Sequence, residues 1–246
     1  MSISSRVQLI CLWCLPFALV ATFGGVWLAG MLPPLSPSSS AIEIQQFFLE
    51  NSIQIRIGVL VAMLGAALMG PFIATISTQM KRIEGAESPL SYTQLLAGLI
   101  STMLGVIPLA FLAIAAFREG RPAELILLMY DASWLMNIGI IFPTMLQLSV
   151  VGVCAFLDKD EVVFPRWYAW LSIWASFVFL VDLLVFFMKT GPFAFNGLIS
   201  FWLALAVLGS WLVVTFFVLR KAVLTREYQQ PNKEADRLRP AVASTL

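Results

Sequence analysis

A chain of 246 residues that is 60% hydrophobic and only 12% charged cannot cover a water-soluble domain, whose charged share is about 25%. Its net charge of +1 provides no global field for nucleic acid or an acidic substrate, so no nucleic-acid partner is expected. The absence of histidine removes His-ligated haem, zinc and di-metal sites and any Ser-His or Cys-His nucleophile pair from this chain, and three cysteines are too few for a disulfide scaffold; no metal or other cofactor is expected.

A helix crosses a bilayer core with about 20 apolar residues, because its backbone groups bond within the segment. The first such run covers residues 7–31, with Arg6 before it. It is longer than the apolar region of a secretory leader, and no small-residue cleavage site follows promptly, so it reads as an uncleaved first helix. Within it, Cys11-Leu12-Trp13-Cys14 has the spacing of a redox pair. With no βαβ pattern nearby and no group to activate a thiol, the two cysteines read as polarizable packing residues, as does Cys154. Pro33, Pro34 and Pro37 end this helix. Ser40 and Glu43 then have capping-box spacing and open an outer segment over residues 40–54. Its Ile42, Phe47, Phe48 and Leu49 fit either an amphipathic helix on the membrane surface or an ordered loop.

The second span covers residues 57–80. Its Gly58, Ala62, Ala66 and Gly70 form a stripe of small residues at every fourth position, suited to close helix packing within the bundle or in a homo- or hetero-oligomer. The third covers 92–117 and repeats the device with Gly98, Ser101 and Gly105. The fourth covers 132–157, preceded by an amphipathic lead-in over 122–131. Pro16, Pro71, Pro108 and Pro143 lie inside spans and are expected to bend them. Asp158-Lys159-Asp160-Glu161 lacks the glycine turn and distal glutamate of a calcium loop and reads as a solvated connector. The fifth span covers 167–188 and the sixth 191–219; the polar tail over 227–246 is expected to be disordered.

Lysine and arginine set the orientation of such a chain. With the N-terminus inside, the inner segments hold Arg6, Lys81, Arg82, Lys159, Arg166, Arg220, Lys221, Arg226, Lys233, Arg237 and Arg239, and the outer ones only Arg56, Arg118, Arg121 and Lys189. The predicted fold is therefore all-α: a polytopic bundle of about six transmembrane helices over residues 1–226, with both termini cytoplasmic. Trp27, Trp134, Trp167, Tyr168 and Trp170 fall near span ends and read as interfacial anchors, whereas Trp174, Trp202 and Trp211 lie deeper, as packing or the lining of an apolar cavity.

Asp182 is the one formally charged side chain inside these spans. A charge at that depth is costly unless it is paired, hydrated or protonated, which makes it a candidate functional residue. At 1.5 Å rise per residue, Asp182 and Asn196 both lie roughly 10 Å in from the turn between spans five and six. Asn137, Arg56, Tyr130 and Asp131 fall in the same outer half. Two readings of this cluster stay open. In one it is a polar pocket with Asp182 as proton carrier, counter-ion or general acid. In the other Asp182 pairs with Arg56, Lys189 or Asn196 simply to hold the bundle together.

The phrases Gln79-Met80-Lys81-Arg82-Ile83-Glu84-Gly85, Phe164-Pro165-Arg166-Trp167 and Lys189-Thr190-Gly191-Pro192-Phe193-Ala194-Phe195-Asn196-Gly197 resemble a set of uncharacterised bacterial multi-span membrane proteins. The resemblance extends to about span six. It implies a bacterial cytoplasmic (inner) membrane and brings no activity, cofactor or site residue with it. The function expected from the residues is binding or transport of a small apolar or amphipathic molecule near the outer leaflet, with membrane lipids as surroundings. The alternatives are a membrane-embedded enzyme using Asp182 as acid or base on a lipid-like substrate, and an accessory subunit of a membrane complex.

Overall fold

The computed structural model describes the backbone of residues 2–243 and the side chains of residues 2–225. Among these residues the chain is all-helical. Its α-helices are α1 (Ile3–Leu28), α2 (Ala41–Glu50), α3 (Ser52–Ala67), α4 (Met69–Glu84), α5 (Pro89–Phe117), α6 (Ala123–Gly139), α7 (Phe142–Leu157), α8 (Arg166–Val178) and α9 (Ala204–Ala243). A 3₁₀ segment, Phe179–Phe186, continues α8, and a π-helical segment, Leu198–Leu203, leads into α9. Six stretches are long and apolar enough to cross a membrane: Ile3–Leu28, Ser52–Glu84, Pro89–Phe117, Ala123–Leu157, Arg166–Phe186 and Leu198–Thr225. The side chains of the 227–246 tail lie outside the described residues.

Two of the four in-span prolines divide their helices. Pro71 has no N–H to give the carbonyl four residues back, and the second span is interrupted at Leu68 between α3 and α4. Pro143 does the same to the fourth span, separating α6 from α7 at Ile140 and Ile141. Pro16 and Pro108 lie inside α1 and α5, which run on through them. The stretch expected as a separate lead-in, 122–131, belongs to α6 itself, in which Ile126 and Tyr130 are buried. The sixth span begins at Leu198 instead of residue 191, because residues 187–197 form turns.

The stripe of small residues is filled from within the chain. A Cβ on Gly25 of α1 would stand 2.4 Å from the Gly58 carbonyl oxygen, and one on Gly58 would stand 2.4 Å from the Gly25 oxygen. Gly65 is equally tight, with the Thr22 nitrogen 2.4 Å from the corresponding point. Only glycine permits this backbone-to-backbone approach of α1 and α3. Ala62 is fully buried beside it and accepts from Thr22 Oγ1 at 3.5 Å. Gly70, by contrast, faces open space.

At the end of the bundle that carries the N-terminus, carboxylates hold the turns. Asp158, 4% exposed, accepts from the backbone N–H groups of Val162, Val163 and Phe164 at 3.0, 2.8 and 2.9 Å. Glu84 caps the start of α5 through the N–H groups of Leu90 and Ser91 at 2.8 and 2.7 Å. Asp158→Ala leaves three donors without their acceptor and is expected to cost about 3 kcal/mol, read as a lowered denaturation midpoint in detergent.

The far end is closed by α2. Its capping box forms as the spacing predicts, with Ser40 N donating to Glu43 Oε2 at 2.8 Å and Glu43 N donating to Ser40 Oγ at 3.3 Å. Ile44 and Phe48 are buried, whereas Ile42 is 71% exposed. The inner face of α2 thus packs on the bundle, with Phe48 edge-on to Tyr130 at 6.2 Å between ring centres. Two of the expected interfacial anchors are not at an interface: Tyr168 is fully buried and Trp134 is 6% exposed. Trp174 and Trp202, expected inside, are 56% and 43% exposed, so only Trp211 of the three deeper tryptophans faces inward.

Candidate functional site

The bundle has two apolar cores. One, toward the N-terminal end, includes Leu12, Phe72, Leu148, Tyr168 and Trp211; the other, toward the far end, includes Phe48, Val59, Leu112, Tyr130 and Phe195. Between them the packing is interrupted by a cavity of about 310 Å³, with walls from both cores and from all six spans. Its lining is mostly aliphatic and aromatic, and Asp182 is its one formally charged residue.

The winding of the fifth span explains why Asp182 points inward. A 3₁₀ helix has three residues per turn, so side chains three apart eclipse one another. Phe179, Asp182 and Val185 form such a row, and they are the three buried residues of the segment. An α-helical winding would fan this row across the helix surface. The segment approaches α6 at Gly139, where a Cβ would meet the Phe186 ring at 2.4 Å and Val185 Cγ2 at 3.1 Å. Gly139 is the last residue of α6 before the Pro143 break, so a missing side chain and a broken helix together admit the 3₁₀ segment.

The other irregular segments face the same space. Ile140 and Ile141, between α6 and α7, line it, as do Ser200 and Phe201 of the π-helical segment. Non-α backbone at membrane depth is tolerated where it is buried in protein or borders a cavity, and parts of these segments border this one.

Asp182 is 2% exposed, and among the described residues its Oδ1 has no hydrogen-bond partner. Trp134 Nε1, on the same lining, is likewise buried without a partner among the described residues, whereas several other polar groups around the cavity are engaged. Thr144 Oγ1 donates to Ser101 Oγ at 3.1 Å, Asn137 Nδ2 to the Leu104 carbonyl at 3.4 Å, and Ser200 Oγ to the Phe193 carbonyl at 3.2 Å. Gln147 also lines the cavity, held beside Gly98, where a Cβ would lie 2.9 Å from Nε2.

Of the six polar residues predicted to converge, the structure brings Asp182 and Asn137 to one cavity. Tyr130 is one turn before the cavity-lining Trp134, with its hydroxyl donating to the Leu35 carbonyl at 3.1 Å. Arg56 lies elsewhere, in a second cleft of about 650 Å³ shared with Arg118, Glu119 and Arg121, and its Nε donates to the Ser52 carbonyl at 3.3 Å. Asn196 is half-buried in the turns after the fifth span, and Asp131 is half-buried on α6; neither lines the cavity or the cleft. Lys189 is exposed. Gln147 and Ser200 were missed, although a polar side chain well inside an apolar span is the signal that singled out Asp182.

No family model matches the chain, and no curated protein or solved structure matches it either.

Proposed function

We propose that the protein binds a small, mainly apolar molecule in the central cavity, with Asp182 as its polar anchor, and that it holds or passes on this molecule rather than transforming it. The observation that carries this reading is a cavity of about 310 Å³ with apolar walls and a buried carboxylate whose Oδ1 has no partner among the described residues. That volume is at the lower end of the range for small-molecule sites, about 300–1,000 Å³. Mostly apolar walls with a few placed polar groups are the usual composition of such sites. A bundle that only packed against itself would close this space or pair the aspartate, because an unpaired buried polar group is costly.

On this reading the protein lies in the bacterial cytoplasmic membrane with both termini inside. Eleven of the fifteen lysines and arginines fall on that side, which supports the orientation. The far end, with its α2 cap, would then face outward, and the cavity would lie below it.

The test is native mass spectrometry of the protein released from nanodiscs. The wild type is expected to carry one bound molecule per chain. Gly105 lines the cavity, and a Cβ there would meet only Ala66 Cβ, at 3.9 Å. Gly105→Leu therefore fills space without touching Asp182, and is expected to reduce the bound fraction at least tenfold. Wild-type protein free of any bound molecule, or equal occupancy in Gly105→Leu, would reject the proposal.

A further inference from the structure

Three features of the cavity bear on the class of molecule it takes. Among the described residues Asp182 is its one charged residue, and no lysine or arginine reaches its lining. Among the described residues, nothing in the protein bonds Asp182 Oδ1. The walls carry five aromatic rings, those of Phe23, Trp134, Phe179, Phe201 and Trp211.

A carboxylate in apolar surroundings is compensated by a positive charge or by a proton. Among the described residues none supplies a positive charge here, so the compensation comes from a proton or from a ligand. The faces of aromatic rings attract cations as well as apolar groups, tryptophan most strongly. An inorganic cation fits poorly, because it would exchange a full shell of water for one carboxylate and carbon-lined walls. An organic cation, whose charge is spread over methyl or methylene groups, suits both the carboxylate and the rings.

We propose, building on the ligand-binding reading above, that the cavity selects a small lipophilic monocation, a protonated amine or a quaternary ammonium, with Asp182 as its counter-charge. Asp182 thereby sets charge selectivity, and the apolar walls set size. The cavity of about 310 Å³ accommodates one such molecule with a single aromatic ring.

Three benzyl probes separate the outcomes. Benzyltrimethylammonium carries a charge without an N–H donor, benzylamine carries both, and neopentylbenzene is the uncharged carbon isostere of the first. Binding is measured to the full-length protein in nanodiscs by competition against a radiolabelled probe, in wild type and in Asp182→Asn. The expected result is at least tenfold tighter binding of benzyltrimethylammonium than of neopentylbenzene to the wild type. In Asp182→Asn that preference is expected to fall to about one, with neopentylbenzene binding unchanged; this retained binding also certifies that the variant is folded. Tight binding of benzylamine alone would narrow the class to amines that donate a hydrogen bond. Equal wild-type binding of the quaternary cation, benzylamine and the neutral isostere would overturn the cation proposal while leaving an apolar binding site intact. Failure of all three probes, with no co-purified molecule, would overturn both proposals. Cation preference that survives in Asp182→Asn would overturn the role given to the carboxylate.

Discussion

Leucine in place of Asp182 is expected to raise the stability of the ligand-free bundle, by about 1–3 kcal/mol, the range for relieving a buried polar group without a partner. The sign is what matters. Asp182 is 2% exposed, and no protein group bonds its Oδ1 among the described residues, so the substitution breaks no bond to that atom. Leucine also adds apolar volume beside a cavity that has room for it. Had the aspartate been one half of a buried ion pair, its removal would strand the partner and cost about 3–5 kcal/mol. Unfolding of the variant and wild type by SDS titration separates the two signs, and a loss of several kcal/mol would point to a structural pair. The same substitution is expected to abolish retention of the bound molecule. A residue that weakens the empty protein and is needed only when the cavity is filled is the signature of a site maintained for use.

Alanine at Gly25 is expected to be the most damaging single methyl group on the first helix. Its Cβ would stand 2.4 Å from the Gly58 oxygen and 2.5 Å from the Ala62 nitrogen, both backbone atoms that cannot rotate away. α1 and α3 must then separate along their seam, at a cost of about 2–3 kcal/mol, toward the upper end for overpacking. The adjacent residue is the control. Gly24 has nothing within 4 Å of its Cβ position, and Gly24→Ala replaces a poor helix former with the best one. It is expected to stabilise by up to about 1 kcal/mol. Denaturation midpoints of the two neighbours should move in opposite directions; equal effects would mean that the α1–α3 seam does not decide stability.

The spans were legible in the sequence because apolar length alone specifies them. So were the capping box at Ser40 and Glu43 and the small-residue stripe, each a local pattern. What covers the stripe was not legible, since a row of small residues is compatible with any close neighbour, and the neighbour proved to be Gly25 of the same chain. The winding that turns Asp182 inward was not legible for a different reason. In a segment as uniformly apolar as Phe179–Phe186 no periodicity distinguishes 3₁₀ from α winding, yet that winding aligns Asp182 with Phe179 and Val185. Counting residues grouped Asn196 and Arg56 with Asp182 by depth, but depth says nothing about position around the bundle axis. Arg56 stands in another cleft, and Asn196 belongs to turns that apolar composition had assigned to a helix. Tyr168 and Trp134 were misread as anchors because their place near span ends was taken as exposure; Tyr168 instead has a buried partner in Thr215, at 2.6 Å.

The first and last spans meet at the cavity. Its walls include Leu19 and Thr22 from the first span and Trp211 and Leu212 from the last. The Gly25–Gly58 seam, by contrast, joins residues 33 positions apart (58 − 25) and costs little loop entropy to close. The seam is therefore available to a short fragment, whereas the cavity belongs only to the whole chain. A truncation that spares every span but the first, or every span but the sixth, retains Asp182 and still lacks a wall, so the aspartate by itself is no measure of a competent protein.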